Sequence, residues 1–206
     1  MLTLHHLDYS RGTRIIWLLE ELNLPYDLVR YPRTPEFSAP ETLKSAHPLG
    51  KSPAIVDGDL VLAESATILR YLHDRHGQGR FTPPAGTTAH ALHEEWLDYV
   101  ESTAGFPIMM ALIGGMLGGL PDKVDGFAKD RVARTLDYLL SGIAGPYLMG
   151  DRITLADMQM TYMLDMAHQA GLLDGHPGIV AYLDRLKACP GLQRAIEKGG
   201  PMVPPR

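Results

Sequence analysis

The chain has 206 residues, of which 45% are apolar and 21% charged, and its formal net charge is −5 at pH 7. This length allows one large domain or two small ones, with a sizeable hydrophobic core. The acidic balance and the lack of a long Lys/Arg cluster exclude a general nucleic-acid binder, which needs a basic face. The single cysteine, Cys189, excludes an intrachain disulfide and any CxxC zinc or redox motif, and it fits a reducing compartment.

The first residues, MLTLHHLDYS, lack the basic region and the apolar run of a secretory signal. The most apolar stretch, residues 106–120, is shorter than the roughly 18 residues that suggest a membrane span. It therefore predicts a buried helix. We expect a cytoplasmic protein that binds neither a membrane nor nucleic acid.

The first part of the chain predicts a small mixed sheet with helices packed on it, in the order β-α-β-(α)-β-β-α. Asp57-Gly58 between two short apolar runs is a strong hairpin signal. The predicted strands cover residues 2–6, 26–31, 54–56 and 60–62, and the predicted helices are one that ends before Pro25, a turn or two at 41–46, and one at 65–77.

The segment 77–88, GQGRFTPPAGTT, is rich in Gly, Pro and Thr and predicts a linker. Strand-like alternation is not found after it. Helices are predicted at 88–120 and 122–143, from Thr154, around Pro177, and after the CPG sequence at 189–191. Thr154 and Asp157 have the spacing of a capping box. The predicted organisation is an α/β domain over 1–77, a linker over 78–88 and an all-helical domain over 89–206.

One stretch, HPLGKSPAIVDGDLVLAES, combines a proline before a short strand with Glu64-Ser65 at the start of a helix. Proline belongs at the edge or first residue of a strand, and the bond before it can be cis at modest cost. The start of a helix can bind an anion. The same residues are also typical of an ordinary helix cap, and the stretch alone leaves both interpretations open.

Three segments together resemble the soluble glutathione transferases: SRGTRIIWLLEELNLPYDL, HPLGKSPAIVDGDLVLAESATILRYL and YLMGDRITLADMQM. The resemblance extends over essentially the whole chain and is greatest to a bacterial and fungal group with a serine after the first strand. It implies an α/β plus all-α fold, with a thioredoxin-like N-terminal domain and an all-helical C-terminal domain. It also implies a homodimer formed through the long helices that begin near His90 and the edge of the first domain.

The resemblance implies that glutathione is the co-substrate and assigns residues to each part of it. The bond before Pro53 is expected to be cis, so that the backbone of Ser52 pairs with the cysteinyl part, as a peptide adds to a sheet edge. Glu64 and Ser65 are expected to hold the γ-glutamyl group at the helix start. Lys51 is placed for the glycyl carboxylate.

Further contacts follow from the same resemblance. Arg11 is expected to bind glutathione. Glu101 corresponds to a position that can reach the glutathione of a partner subunit, but an exposed helix glutamate is an equal alternative. The apolar electrophile is expected to lie against Tyr9, Ala104 and Ile108.

A thiol with a pKa near ~8.5 is only slightly ionised at neutral pH. A hydroxyl that donates to the sulfur near a helix start would stabilise the thiolate. Ser10 stands four residues before Arg14, as in the serine-type relatives, and is the expected catalytic residue. Tyr9 is the alternative, and Ser10 could also be no more than a helix cap. Gly12 stands where relatives often have a second serine.

The predicted function is conjugation of glutathione to apolar electrophiles. A glutathione-dependent reductase or peroxidase, an ether-cleaving enzyme and a non-catalytic glutathione-binding module are the alternatives. Thiol exchange usually uses a cysteine after the first strand, where this chain has Tyr9-Ser10. The histidine pairs His73/His76 and His90/His93 lack a third ligand at a usual spacing, so no metal is expected.

Overall fold

The computed structural model describes residues 1–204 and resolves them into two compact units. The first unit comprises Met1–Phe81 together with the described residues from Lys187 on, and the second comprises Thr82–Leu186. The helical domain predicted over 89–206 therefore loses its last segment to the N-terminal unit. The final two residues of that prediction lie outside the described part of the chain.

The N-terminal unit contains the predicted mixed sheet. Its strands are β1 (Leu2–Leu7), β2 (Asp27–Tyr31), β3 (Ala54–Asp57) and β4 (Leu60–Ala63), in the spatial order β2-β1-β3-β4. Strand β1 is parallel to β2 and antiparallel to β3. Asp57 still pairs with Leu60, so the hairpin turns through Gly58 and Asp59, with Gly58 at a φ of 61°.

Helices α1 (Thr13–Leu22) and α2 (Ser65–His76) cover this sheet, and a 3₁₀ helix spans Glu41–Ser45. Apolar residues recur on one face of each helix, as the sequence predicts. The fully buried core of the unit includes Leu4, Ile15, Leu18, Leu19, Ile55, Ile68, Leu69 and Leu72. The thioredoxin-like α/β arrangement that the resemblance implies is confirmed.

The last helix, α8 (Pro190–Gly199), packs against α1 in this unit. Lys198 donates to Glu20 over 2.6 Å, and the His6 ring nitrogen Nε2 lies 2.9 Å from the carbonyl of Gly199. Gly191 and Gly199 allow the close approach, since a Cβ at Gly199 would lie 2.5 Å from Ile16. These contacts explain why the C-terminal segment belongs with the N-terminal unit.

The second unit is all-helical, as predicted. Its helices are α3 (Thr88–Tyr99), α4 (Gly105–Met116), α5 (Asp122–Gly142), α6 (Leu155–Gln169) and α7 (Pro177–Lys187). A π-helical segment, Val100–Ala104, joins α3 to α4, so the long helix predicted over 88–120 is interrupted. Helix α4 ends at Met116 because Gly118 and Gly119 take positive φ values.

The start of α6 has the predicted capping box. The Asp157 carboxylate accepts from the Thr154 backbone N–H over 2.7 Å and also from Leu148 N–H and the Tyr182 hydroxyl. Burial raises the pKa of Asp157, and these hydrogen bonds oppose the rise. Within residues 1–204, no helix is long and apolar enough to cross a membrane.

His6 should make the stability of the fold depend on pH. Its side chain is fully buried, and burial lowers its pKa below the ordinary value of 6.5. The unfolded chain therefore binds a proton that the folded chain resists, so the free energy of unfolding should fall as the pH drops below 6.5. The slope from this residue should approach about 1.4 kcal/mol per pH unit.

Urea unfolding at a series of pH values measures this slope. His6→Gln retains a donor for Gly199 but cannot titrate, so its unfolding free energy should vary less steeply between pH ~5 and ~6.5 than that of the unmodified protein. Equal slopes for the two proteins would contradict the assignment.

Candidate active site

The turn after β1 is hydrogen-bonded to an arginine from the segment that follows β2. Tyr9 has a φ of 56°, in the left-handed region that few non-glycine residues adopt. Arg33 donates from Nε to the carbonyl of Asp8 and from Nη2 to the carbonyl of Tyr9, each over 2.9 Å. The Tyr9 ring stacks on Phe37 with a centroid separation of 5.9 Å. The backbone of this turn is therefore fixed, and the Tyr9 ring is directed toward Phe37.

Ser10 follows this turn and is 5% exposed. Its Oγ accepts a hydrogen bond from the Gly12 N–H over 3.2 Å and lies 3.1 Å from the Oγ of Ser52. Helix α1 begins at Thr13 with Gly12 as its N-cap residue. Ser10 lies two positions before that residue, and its carbonyl accepts from the Thr13 N–H over 3.4 Å, so Ser10 also takes part in the turn that leads into α1.

The second component of the site is the Ser52–Pro53 step before β3. The bond between them is cis, which confirms that expectation. Ser52 Oγ accepts from the Leu7 N–H at the end of β1 over 3.0 Å. Ser52 and Ser10 thus meet beside the end of the first strand, while the neighbouring Lys51 is exposed.

The third component is the start of α2. Glu64 precedes the helix with a φ of 70° and is exposed, whereas Ser65 is 3% exposed. Strained backbone at a non-glycine residue is often found at ligand sites. The Glu64 side chain makes no capping hydrogen bond to this helix, and the first N–H groups of a helix have no partner within the helix itself.

A buried arginine links the starts of the two helices. Arg14, in the first turn of α1, is 2% exposed and donates from Nη1 to the Oγ of Ser65 over 2.9 Å. A guanidinium at this position adds positive charge beneath the start of α2, which already carries the positive end of a helix dipole. The arrangement is suited to a carboxylate.

Comparisons with known proteins agree with this geometry. The family described as the N-terminal domain of glutathione S-transferase matches residues 10–75, and the family described as its C-terminal domain matches residues 121–199. The chain belongs to the glutathione S-transferase family. Its function is accordingly that of a glutathione transferase.

Individual relatives show how close the similarity is. Glutathione S-transferase 3 of Schizosaccharomyces pombe is 31% identical, with the alignment covering 82% of this chain and 75% of the relative. Glutathione S-transferase 1 of Saccharomyces cerevisiae is also 31% identical, covering 82% of each chain. A crystal structure of a glutathione S-transferase from Actinobacillus pleuropneumoniae has a TM-score of 0.86 and 32% identity, covering 97% of this chain and 93% of that one.

The remaining predicted residues of this transferase lie in different surroundings. Arg11 is half-buried in the turn before α1, and Glu101 is half-buried in the π-helical segment. Ala104 and Ile108 are fully buried in the helical unit. That these two residues line an electrophile pocket with Tyr9 stays a prediction. Residues 1–204 contain no group of three or more His, Cys, Asp or Glu side chains placed to hold a metal ion.

The structure adds two side chains that the sequence does not identify as part of the site. From the sequence, Arg14 is considered only for its spacing from Ser10. Ser52 is assigned a role only through its backbone. The signal for Arg14 is a charged residue within the apolar run RIIWLL. No sequence signal predicts the contact between Ser10 and Ser52, because it joins residues 42 positions apart.

Gly12 is explained by the ring of His6. A Cβ at Gly12 would overlap His6 Nδ1 and lie 3.0 Å from Ser52 Oγ. A serine at this position would not fit beside that ring without displacing it. The His6 side chain on β1 therefore accounts for the glycine at position 12.

Gly12→Ala should destabilise the transferase by about 1–3 kcal/mol, because a methyl group must displace a fully buried ring. Its φ of −61° is compatible with alanine, so any loss is steric. Gly126→Ala is the matched control, since nothing lies within 4 Å of its added Cβ. The control should change the stability by less than about 1 kcal/mol, with helix propensity favouring alanine. Urea unfolding of both variants measures the difference, and equal stabilities would refute the steric explanation.

Proposed function

We propose that the protein is a serine-type transferase, in which the Ser10 hydroxyl donates to the thiolate of bound glutathione. The observation that carries this assignment is the position of Ser10 Oγ, held by the Gly12 N–H and beside Ser52 Oγ just before α1. A hydroxyl fixed in this way can stabilise a thiolate without reorganising. The Tyr9 ring instead stacks on Phe37, which favours Ser10 over Tyr9.

The proposed reaction has two steps. The glutathione thiol loses its proton to solvent, and the thiolate is stabilised by Ser10. Its electron pair then forms a C–S bond with an electrophilic carbon, from which a leaving group such as halide departs with its bonding pair. Only the thiolate is a good nucleophile. The role of the hydroxyl is therefore to lower the thiol pKa toward neutrality, which increases the fraction of thiolate.

Glutathione is proposed to be held chiefly through its two carboxylates and its backbone. Ser65 Oγ accepts from Arg14, so the hydroxyl hydrogen of Ser65 is available for the γ-glutamyl carboxylate at the start of α2. Glu64 is then placed for the adjacent ammonium group. The Ser52 backbone would pair with the cysteinyl part, and Lys51 would reach the glycyl carboxylate. Arg11 is a further proposed contact to glutathione.

A thiol-exchange enzyme is the less favoured alternative. Such chemistry would need a cysteine in the turn that contains Ser10. The single cysteine, Cys189, instead precedes α8 as its N-cap residue.

We propose an apolar electrophile and a role in detoxification in the cytoplasm.

The test of the catalytic assignment is Ser10→Ala. The pKa of the bound glutathione thiol should rise by about one to two units, because the thiolate loses one hydrogen bond. Turnover of a chromogenic aryl halide near neutral pH should fall by about ten- to a hundredfold and recover in part at high pH. Ultraviolet thiolate absorbance of the glutathione complex, titrated against pH, gives the thiol pKa directly.

Tyr9→Phe is the control for this measurement, and its thiol pKa should equal that of the unmodified enzyme. If the thiol pKa rises in Tyr9→Phe and not in Ser10→Ala, then Tyr9 and not Ser10 stabilises the thiolate. No rise in either variant would mean that backbone groups alone stabilise the thiolate.

We also propose that the transferase forms a homodimer through the helical unit. Large apolar side chains are exposed there, including Phe106 (64%), Met116 (79%) and Phe127 (48%). They lie on or at the ends of α4 and α5, which pack against each other. A groove of about 570 Å³, lined in part by Phe106, Phe127 and Tyr138, lies on the same helices. Exposed apolar surface of this kind is typical of protein interfaces.

Light scattering at micromolar concentration should give about twice the chain mass of 22.7 kDa. Phe106→Glu should lower the measured mass toward that of one chain, because it places a charge in the proposed interface. Gln193→Glu, which adds a charge at an exposed position on α8, is the control and should keep the mass unchanged. A monomeric mass for the unmodified protein would contradict the proposal.

A further inference from the structure

The Ser52 side chain lies among three possible hydrogen-bond partners. Its Oγ accepts from the Leu7 N–H over 3.0 Å, lies 3.1 Å from Ser10 Oγ and lies 3.4 Å from the carbonyl oxygen of His5. A hydroxyl has one hydrogen and two acceptor positions. Its hydrogen can therefore be given to Ser10 or to His5, but only one of them receives it at a time.

The acceptor that receives the Ser52 hydrogen determines whether the Ser10 hydroxyl is available to donate to a thiolate. Ser10 Oγ already accepts from the Gly12 N–H. If Ser52 donates to Ser10, both acceptor positions of Ser10 are filled, and its own hydrogen is left for another partner. If Ser52 donates to His5 instead, Ser10 can direct its hydrogen back to Ser52 Oγ, and that hydrogen is then lost to a thiolate.

Two considerations favour donation from Ser52 to Ser10. The distance to Ser10 is 3.1 Å, close to the usual upper limit of about 3.0 Å for O–H donors, whereas the distance to the His5 carbonyl is 3.4 Å and well beyond it. In this arrangement the hydrogen bonds form an aligned chain. The Leu7 N–H donates to Ser52 Oγ, the Ser52 hydroxyl donates to Ser10 Oγ, and the Ser10 hydroxyl donates to a further acceptor. Aligned hydrogen bonds polarise one another and strengthen donation at the end of the chain.

We propose that Ser52 is a positioning residue whose hydroxyl donates to Ser10 Oγ, so that the Ser10 hydrogen is directed at the glutathione sulfur. This role is separate from the backbone pairing of Ser52 with glutathione, and it rests on the proposed function of Ser10. It makes the end of β1 part of the catalytic apparatus, since the Leu7 N–H begins the chain of donors.

The test is a double-mutant cycle on the pKa of the bound glutathione thiol. Ser52→Ala should raise this pKa by roughly half a unit to one unit, which is about a three- to tenfold loss of thiolate at neutral pH. Ser10→Ala should raise it further. The double variant should match Ser10→Ala alone, because Ser52 acts only through Ser10.

Two further variants separate the hydroxyl from the shape of the side chain. Ser52→Thr keeps the hydroxyl and should keep the thiol pKa of the unmodified enzyme, whereas Ser52→Val has nearly the shape of threonine and should behave as Ser52→Ala. Ser45→Ala, on an exposed part of the same unit, is the control and should leave the pKa unchanged. The titrations cover both sides of the thiol pKa, and burial lowers the pKa of both His5 and His6, which moves their own titration to lower pH.

Three results would overturn the inference. An unchanged thiol pKa in both Ser52→Ala and Ser52→Val would show that the hydroxyl is not used. A rise in Ser52→Ala that persists in the Ser10→Ala background would show that Ser52 acts independently of Ser10. No rise in Ser10→Ala would remove the proposed role of Ser10, and this failure is distinct because it occurs with Ser52 intact.

Discussion

The hydrogen bond from Arg14 to Ser65 is the interaction on which the site depends. It joins the first turn of α1 to the first turn of α2, and both side chains are almost fully buried. A buried guanidinium is costly unless its donors are well used, so its presence needs a compensating role. Holding two helix starts at a fixed separation is such a role. The turn with Ser10 and the strained Glu64 are each attached directly to one of these helix starts.

Local signals predicted most of the fold. Apolar periodicity identified the helices, and Asp57-Gly58 identified the hairpin, because each depends on residues close in the chain. The termination of α4 at Met116 and the π-helical segment were not predicted, since an apolar run does not show where its backbone geometry changes. The docking of α8 on α1 was also missed. Its apolar face indicates that α8 is packed, but not which helix it packs against.

The sequence predicted the location of the site but not its side-chain contacts. The cis bond before Pro53 followed from matching motifs and is observed, and the same motifs predict Glu64 and Ser65 as ligand residues. The side-chain contacts of Ser52 and Arg14 could not follow in that way, because each joins segments far apart in the chain. Gly12 shows the same limit, since the reason for a glycine there is apparent only from its closeness to the ring of His6. Sequence motifs thus locate a ligand site, while its hydrogen-bond directions depend on tertiary contacts.

The docking of α8 on α1 has a consequence for biosynthesis. The N-terminal unit is discontinuous in the chain, with the helical unit inserted between Phe81 and Lys187. During translation the inserted helices emerge from the ribosome before the final segment of the first unit. The N-terminal unit therefore cannot be completed until the last helix has been synthesised. A premature stop codon just before Pro190 would damage the N-terminal unit, although it removes only the opposite end of the polypeptide.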